Sequence, residues 1–182
     1  DYVRSIERTG KKLIKMQTGD PDFPTHPEII LAADKAMRQG FTKYCDSRGL
    51  PELRAELAIK LLKQNKIAAT ESEILVTHGA VHGIQMAIRA VVNPGDEVII
   101  LAPYWPAYAS DTILAGAVPV IVSLKGPSFS LDVNLIESAI TPRTRVVVIN
   151  TPNNPSGAVY SEESLAQLLT LAEKFDLQII SD

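Results

Sequence analysis

The stretch VIILAPYWPAYASDTILAGAVPVIV, residues 98–122, decides the fold of this chain. Two short aliphatic runs, Val98–Leu101 and Val118–Val122, flank a longer amphipathic segment at about 105–115. Runs that are apolar throughout, without polar alternation, are typical of strands that are covered on both faces. The stretch therefore predicts a strand, a helix and a second strand of a mostly parallel sheet.

The same alternation continues on both sides of this unit. Further strands are predicted at 74–76, 146–149 and 179–180, and further helices at about 79–92, 133–140 and 161–175. Ser161 is the predicted N-cap of the last helix, and Glu162 and Glu163 suit the positive end of its dipole. Repeated strand–helix–strand units with right-handed crossovers predict an α/β fold, a three-layer α/β/α sandwich with a mostly parallel sheet.

The first seventy residues have a different pattern. Helices are predicted at Pro27–Gln39 and Pro51–Lys66, each with proline in its first turn. An irregular stretch at 40–50 separates them, and the turn-forming residues at 19–24 predict a loop.

Composition narrows the class of protein. The net charge of −3 and the lack of an apolar stretch of about 18 residues predict neither a nucleic-acid partner nor a membrane partner. The single cysteine, Cys45, excludes an internal disulfide and favours a reducing, cytoplasmic location. The chain does not begin with methionine and ends on a predicted strand, so we expect a fragment of a longer protein.

Ligands of open parallel sheets bind at the carboxyl ends of the strands, which directs attention to the residues after each predicted strand. Gly79 follows the strand at 74–76 and opens a helix, a turn that presents backbone N–H groups to an anion such as phosphate. Many glycine turns are purely structural, and this one matches no nucleotide-binding fingerprint. Trp105, the only tryptophan, follows the next strand and either stacks on a planar ligand or caps the core.

Two further polar features follow later strands. The run from Asn150 to Gly157 contains three asparagines and two prolines, which predicts a rigid loop with amide donors at the sheet end. Asp182 follows the last strand, and a carboxylate in such a crevice either pairs with a cation or caps a helix.

Other polar residues carry weaker signals. His78 and His82 have zinc-ligand spacing but no third ligand nearby, so no metal site is predicted. Ser156 and Ser181 have no histidine–acid partners that would form a hydrolase triad. Cys45 is interpreted as a loop residue, and we expect the following aspartates to be surface or capping residues: Asp111, Asp132 and Asp176.

Six landmarks occur in an order that is specific to one family. They are Gly19-Asp20-Pro21-Asp22-Phe23, Tyr44 with Gly49-Leu50-Pro51-Glu52-Leu53-Arg54, Gly79-Ala80, Pro103-Tyr104-Trp105, Asn153-Asn154-Pro155-Ser156-Gly157 and Ser181-Asp182. This order resembles the class I/II aminotransferases, enzymes of pyridoxal-phosphate fold type I, over essentially the whole chain. The resemblance implies an incomplete large domain at 28–182, truncated at its C-terminal end, preceded by an arm or small-domain segment at 1–27.

The resemblance also implies a role for each landmark. The backbone of Gly79, Ala80 and Val81 would hold the phosphate of pyridoxal 5'-phosphate, and Trp105 would stack on its ring. Asn154 would donate a hydrogen bond to the ring's phenolic oxygen. Asp182 would pair with the pyridinium nitrogen and keep it protonated, so that the ring accepts electrons from the substrate.

Two implied residues lie nearer the N-terminus. Tyr44 would reach the phosphate that is bound by the neighbouring subunit, which implies a homodimer with shared active sites. Gly19 would lie where the backbone approaches the substrate carboxylate.

The chain departs from the family pattern in two respects. Val81 and Ala80 replace polar side chains that many relatives use to support the phosphate. The Schiff-base lysine is absent from this chain, because the family places it after the aspartate, so we expect the segment alone to be inactive.

The resemblance leaves three classes of function open. The first is an aminotransferase that exchanges an amino group between an amino acid and a 2-oxo acid in amino-acid metabolism. The second is a related enzyme, a C–S lyase or an aminocyclopropane-carboxylate-synthase-like protein. The third is a non-catalytic aminotransferase-like domain or a truncated product.

Overall fold

The computed structural model describes residues 2–14, 19 and 21–182. The chain divides into two compact units, residues 1–45 and residues 46–182. The division predicted between residues 27 and 28 stays a prediction. Asp20, in the predicted loop at 19–24, lies outside the described residues.

The described residues of the first unit form two helices, α1 (Tyr2–Glu7) and α2 (Pro27–Arg38). Pro27 is in the first turn of α2, as predicted, because that position needs no backbone N–H donor. The ring of His26 caps the helix by accepting a hydrogen bond from the Glu28 N–H at 3.3 Å. The stretch at 41–45 that follows has neither helix nor strand.

The second unit begins with α3 (Pro51–Lys60), which continues as a π-helical turn (Leu61–Asn65). A 3₁₀ turn follows at Glu71–Glu73. The remaining elements alternate along the chain: α4 (Gly79–Val91), β1 (Glu97–Ala102), α5 (Ala107–Leu114), β2 (Val118–Ser123), α6 (Val133–Ala139), β3 (Thr144–Ile149), α7 (Glu162–Phe175) and β4 (Gln178–Ser181). Four of the five predicted strands and all the predicted helices are thereby confirmed.

The predicted strand at 74–76 is wrong. Ile74 has extended dihedral angles, φ −109° and ψ 131°, but no other strand of the described chain pairs with this segment. The Val76 N–H donates instead to the Arg48 carbonyl at 2.9 Å. A strand exists only through ladder hydrogen bonds to a neighbour, and an apolar run does not specify that neighbour.

The four strands form one parallel sheet in the order β2-β1-β3-β4. Alternate residues of each strand face opposite sides. One face packs with α4 and α5 through Val98, Ile100, Val146 and Val148. The other face packs with α6 and α7 through Ile99, Leu101, Val147 and Ile149. The three-layer α/β/α sandwich is confirmed.

The connections change direction at the centre of the sheet. From β1 the chain moves outward to β2, and from β3 it moves outward the opposite way to β4. With crossovers of one hand, such a reversal places the connecting helices on opposite faces, as observed. The carboxyl ends of β1 and β3 therefore flank a topological switch point, where open α/β sheets bind ligands.

Candidate cofactor site

Trp105 and Asp182 meet at the carboxyl edge of the sheet through a third residue. The Tyr108 hydroxyl donates a hydrogen bond of 2.5 Å to Asp182 Oδ2, although 74 residues separate the two in sequence. The Trp105 and Tyr108 rings pack edge to face, with 5.6 Å between their centroids. The loop after β1 and the residue after β4 are thereby joined.

The asparagine loop attaches to the same edge by several hydrogen bonds. Asn150 Nδ2 donates to the Asp182 carbonyl at 3.0 Å, and Asn150 Oδ1 accepts from the Asn154 N–H at 2.6 Å. Asn153 is buried, and its Nδ2 donates to the Pro103 carbonyl at 3.0 Å and to Ser156 Oγ at 2.7 Å. Asparagine side chains therefore tie the loop to both neighbouring strand ends, which supports the predicted rigidity.

The side chains that remain available face outward from this network. Asn154 is exposed, and its side-chain amide has no hydrogen-bond partner among the described residues. Asp182 Oδ1 likewise has no donor in the described part of the chain, whereas Oδ2 is engaged by Tyr108. The site therefore offers one amide, one carboxylate oxygen and the half-buried ring of Trp105 to a ligand.

The N-terminus of α4 has the features of an anion site. Gly79 has φ +80°, and the space that a Cβ would occupy is open, so glycine serves the turn and leaves room for a ligand. The side chain of His78 does not cap the helix, and no acidic residue lies in its first turn. The N–H groups of Ala80 and Val81, in the first turn of the helix, have no acceptors among the described residues.

Helix α4 is anchored in the same core cluster as the aromatic residues. Ile84 and Ile88 pack together with Tyr108, with Trp105 and Ile180 at the edge of the cluster. The prediction that Gly79 follows a strand is wrong, since the segment at 74–76 is not a strand. Residues after strands contribute Trp105, the asparagine loop and Asp182, and the N-terminus of α4 contributes Gly79.

Burial and the neighbouring carboxylate both act on the Tyr108 hydroxyl. Desolvation, the hydrogen bond to Asp182 and the charge of Asp182 raise its pKa far above the ordinary value for tyrosine. Tyr108 therefore remains a proton donor over the whole pH range in which proteins usually work. The sequence reasoning missed this residue, which lies three residues after Trp105 in the first turn of α5.

Two other predicted site residues belong to the first unit, and both are exposed. Gly19 has no heavy atom within 4 Å of an added Cβ, and Tyr44 is fully exposed. Their proposed roles involve the substrate and a neighbouring subunit, and those roles stay predictions.

The two histidines of the turn contact each other. Their rings are 5.6 Å apart, and the His78 N–H donates to His82 Nδ1 at 3.3 Å. Within residues 2–14, 19 and 21–182, no group of three or more histidine, cysteine, aspartate or glutamate side chains is placed to hold a metal. None of the helices described in these ranges is long and apolar enough to span a membrane.

Fold and site together define an α/β domain whose sheet edge offers backbone donors for a phosphate and an aromatic ring, an amide and a carboxylate for a planar ligand. Residues 11–182 match the family described as Aminotransferase class I and II. The chain belongs to this family.

Similar proteins carry aminotransferase names. The probable aspartate/prephenate aminotransferase of Thermus aquaticus is 41% identical over 178 residues, which are 97% of this chain and 46% of that protein. A Thermus thermophilus aspartate aminotransferase variant has a TM-score of 0.95 at 40% identity and covers 100% of this chain and 48% of its own. An alanine aminotransferase from Pyrococcus furiosus has a TM-score of 0.93 at 32% identity, and the match covers 98% of this chain and 47% of that one. The chain thus spans about half the length of these relatives.

Proposed function

We propose that the protein containing this chain is a pyridoxal-phosphate-dependent aminotransferase that moves an amino group between an amino acid and a 2-oxo acid. In this proposal the chain supplies the cofactor-binding part. One observation carries the proposal: Trp105, the asparagine loop and Asp182 form one hydrogen-bonded and stacked network at the switch point of the sheet.

The residues of this edge fit the cofactor part by part. The N–H groups of Ala80 and Val81, which have no acceptors among the described residues, suit its phosphate, and Gly79 leaves the space beside them open. The Trp105 ring suits its planar face. The Asn154 amide suits its phenolic oxygen, since the side chain has no other partner in the described structure.

Asp182 has the role with the clearest chemistry. When bound, pyridoxal phosphate supplies an electron-accepting ring that stabilises the charge left on a substrate carbon after proton loss. A carboxylate beside the ring nitrogen keeps a proton on that nitrogen, because the ion pair favours the charged form. Asp182 Oδ1, which has no donor among the described residues, is the atom available for this contact.

The remaining parts of the proposal follow from the family. Relatives with aminotransferase names support amino acids and 2-oxo acids as substrates. We propose a cytoplasmic homodimer, with Tyr44 reaching the partner's phosphate and Gly19 near the substrate carboxylate. The family's Schiff-base lysine comes after Asp182, so the 182-residue segment expressed alone should show no turnover with added cofactor, and measurable turnover would contradict this.

The proposal is tested on the full-length protein with added pyridoxal phosphate. We expect visible absorbance from bound cofactor and amino transfer to a 2-oxo acid. Asp182→Asn should lower the rate of transfer about a hundredfold or more, since it removes the charge that holds the ring proton. Trp105→Ala should weaken cofactor binding about threefold to tenfold, because it removes the stacking surface.

Asp176→Asn is the matched control for the aspartate variant. Asp176 is exposed and ends α7 before β4 begins, at the other end of that strand from Asp182. The control should retain full transfer. Full activity of Asp182→Asn would contradict the assigned role, and product release without amino transfer would favour a lyase.

A further inference from the structure

Tyr108 contacts both Trp105 and Asp182. Its side chain is 2% exposed, its ring meets the Trp105 ring edge to face, and its hydroxyl donates to Asp182 Oδ2. Tyr108 lies in the first turn of α5, just after the loop that follows β1, and its hydroxyl reaches the residue that follows β4.

The carboxylate that Tyr108 contacts is held from several directions. The Asp182 N–H donates to the Ile149 carbonyl at 3.0 Å, and the Asp182 carbonyl accepts from Asn150 Nδ2 at 3.0 Å. These bonds fix the backbone, and the Tyr108 hydroxyl fixes the rotation of the carboxylate. With Oδ2 engaged, Oδ1 is the carboxylate oxygen that has no donor among the described residues.

We propose that Tyr108 is a positioning residue for the cofactor: its hydroxyl orients the Asp182 carboxylate toward the ring nitrogen while its ring supports the Trp105 stacking surface. This inference rests on the proposed function and deepens it. Tyr108 itself touches neither the cofactor nor the substrate in this proposal, and acts through Asp182 and Trp105.

The direction of the hydrogen bond suits the proposed contact. The Tyr108 hydroxyl donates and Asp182 Oδ2 accepts, so Oδ1 stays available as an acceptor for the ring N–H. The raised pKa of Tyr108 keeps the hydroxyl a donor throughout, so the arrangement does not switch off at alkaline pH.

A purely structural role for Tyr108 makes different predictions. Its ring packs with Ile84 and Ile88 in the core, and any change there lowers stability. Tyr108→Phe keeps the ring and this packing and removes only the hydroxyl. Tyr160→Phe is the matched control, because Tyr160 is also buried but its hydroxyl makes no hydrogen bond among the described residues.

The experiment measures the dissociation constant of pyridoxal phosphate, and the pH dependence of the bound cofactor's visible absorbance, in full-length protein. Tyr108→Phe should weaken binding about tenfold and shift the absorbance titration, since a hydrogen bond to a charged group is lost. Tyr160→Phe should change neither. In an Asp182→Asn background, Tyr108→Phe should have no further effect, because the two residues then no longer act as a pair.

Each outcome decides the inference. Unchanged affinity and titration in Tyr108→Phe, or an equal loss in the Asp182→Asn background, would overturn it and leave the proposed function intact. Failure of the unsubstituted protein to bind the cofactor would overturn both. If Tyr108→Phe does not fold, 3-fluorotyrosine at position 108 keeps the ring and makes the hydroxyl a stronger acid; an unshifted titration then overturns the inference.

Discussion

Asp111 lies on α5, three residues after Tyr108, and its carboxyl group is buried without compensation. The side chain is 5% exposed, and Oδ2 has no hydrogen-bond partner among the described residues. The prediction that it is a surface or capping residue is wrong. Desolvation raises its pKa, because burial disfavours the charged form.

This burial predicts an unusual dependence of stability on pH. The folded state keeps the Asp111 proton to a higher pH than the unfolded state, whose carboxyl ionises near 3.8. Unfolding therefore releases a proton above that pH, and the free energy of unfolding falls as pH rises through the raised pKa. Asp111→Asn cannot ionise, so we expect it to be more stable than the unsubstituted protein at pH 7 and equally stable near pH 3. Urea denaturation of the two apoproteins at pH 3 and pH 7 measures these free energies of unfolding.

Asp176→Asn again provides the control, because that carboxyl is exposed, and asparagine tolerates the left-handed backbone at φ 53°. It should leave the pH slope unchanged. An Asp111→Asn protein with the same slope as the unsubstituted one would show that the Asp111 carboxyl is solvated in solution.

Glu97, unlike Asp111, is a buried carboxylate whose two oxygens both accept hydrogen bonds. It is 4% exposed, and its oxygens accept from Thr141 Oγ1 at 2.6 Å, Thr144 Oγ1 at 3.2 Å and Arg143 Nη2 at 2.7 Å. The hydrogen bonds from Thr141 and Arg143 outweigh burial and lower the pKa of Glu97. Its contribution to stability is therefore present above the ordinary pKa of 4.5 and is lost as pH falls through the lowered value.

At the scale of the element, local chemistry predicted helix ends well. The predicted N-cap of α7 is confirmed, because Ser161 Oγ accepts from the Ser164 N–H at 3.2 Å. Asp132 caps α6 through the Asn134 and Leu135 N–H groups, and Asp176 ends α7 in the left-handed region. Caps depend on residues within one turn, so a sequence pattern contains the necessary information.

The cap of α7 gives a quantitative prediction. Ser161→Ala removes the acceptor for an orphan N–H and should lower the free energy of unfolding by about 1 kcal/mol. Ser138→Ala is the control, since Ser138 is exposed on α6 and donates only to the Leu135 carbonyl of its own helix. Denaturant titration of both variants tests this, and equal effects would show that the cap adds nothing.

Gly49 shows an element-scale feature that the family pattern identified without its reason. A Cβ at Gly49 would lie 2.6 Å from Val76 Cβ, and its φ is +96°. The same close approach allows the Val76 N–H to donate to the Arg48 carbonyl, which ties this segment to the turn before α3 although no strand of the described chain pairs with it. The run at 74–76 has the composition of a strand, but strand pairing is a long-range property.

At the scale of the whole molecule, the proposed dimer gives the sharpest test for Tyr44. If Tyr44 serves the partner's phosphate, a Tyr44→Ala protein and an Asp182→Asn protein should complement each other when their subunits are mixed. In a mixed dimer one site has both residues intact and the other has neither. Random mixing should then restore about one quarter of the unsubstituted activity, beyond the sum of the separate parents.

The control for this experiment mixes Tyr44→Ala with Asp176→Asn. Both parents of that mixture keep Asp182, and the Asp176→Asn parent also keeps Tyr44. The mixture should therefore show the activity of the Asp176→Asn sites and of the mixed-dimer sites that have Tyr44 from that parent. A lack of complementation in the first mixture, with mixed dimers demonstrated, would contradict the assignment of Tyr44 to the neighbouring subunit.

The sequence by itself determined the class of fold and the residues that end the strands. Apolar runs at 98–101, 118–122, 146–149 and 179–180 were sufficient to predict the four parallel strands. The expected cover on both faces holds for the central strands β1 and β3, whereas the edge strands β2 and β4 are partly exposed. Trp105, the loop at 150–157 and Asp182 were identifiable because open sheets place the residues after their strands at one edge. The choice of Asn154 within that loop came from the family resemblance.

Only the tertiary structure decided how those residues are joined. The hydrogen bond from Tyr108 to Asp182 spans 74 residues, and the bond from Asn153 to Pro103 spans 50. The burial of Asp111 and the missing partner of the segment at 74–77 are likewise set by what packs nearby. Contacts of this kind depend on the sheet order β2-β1-β3-β4, and no local pattern of residues encodes that order.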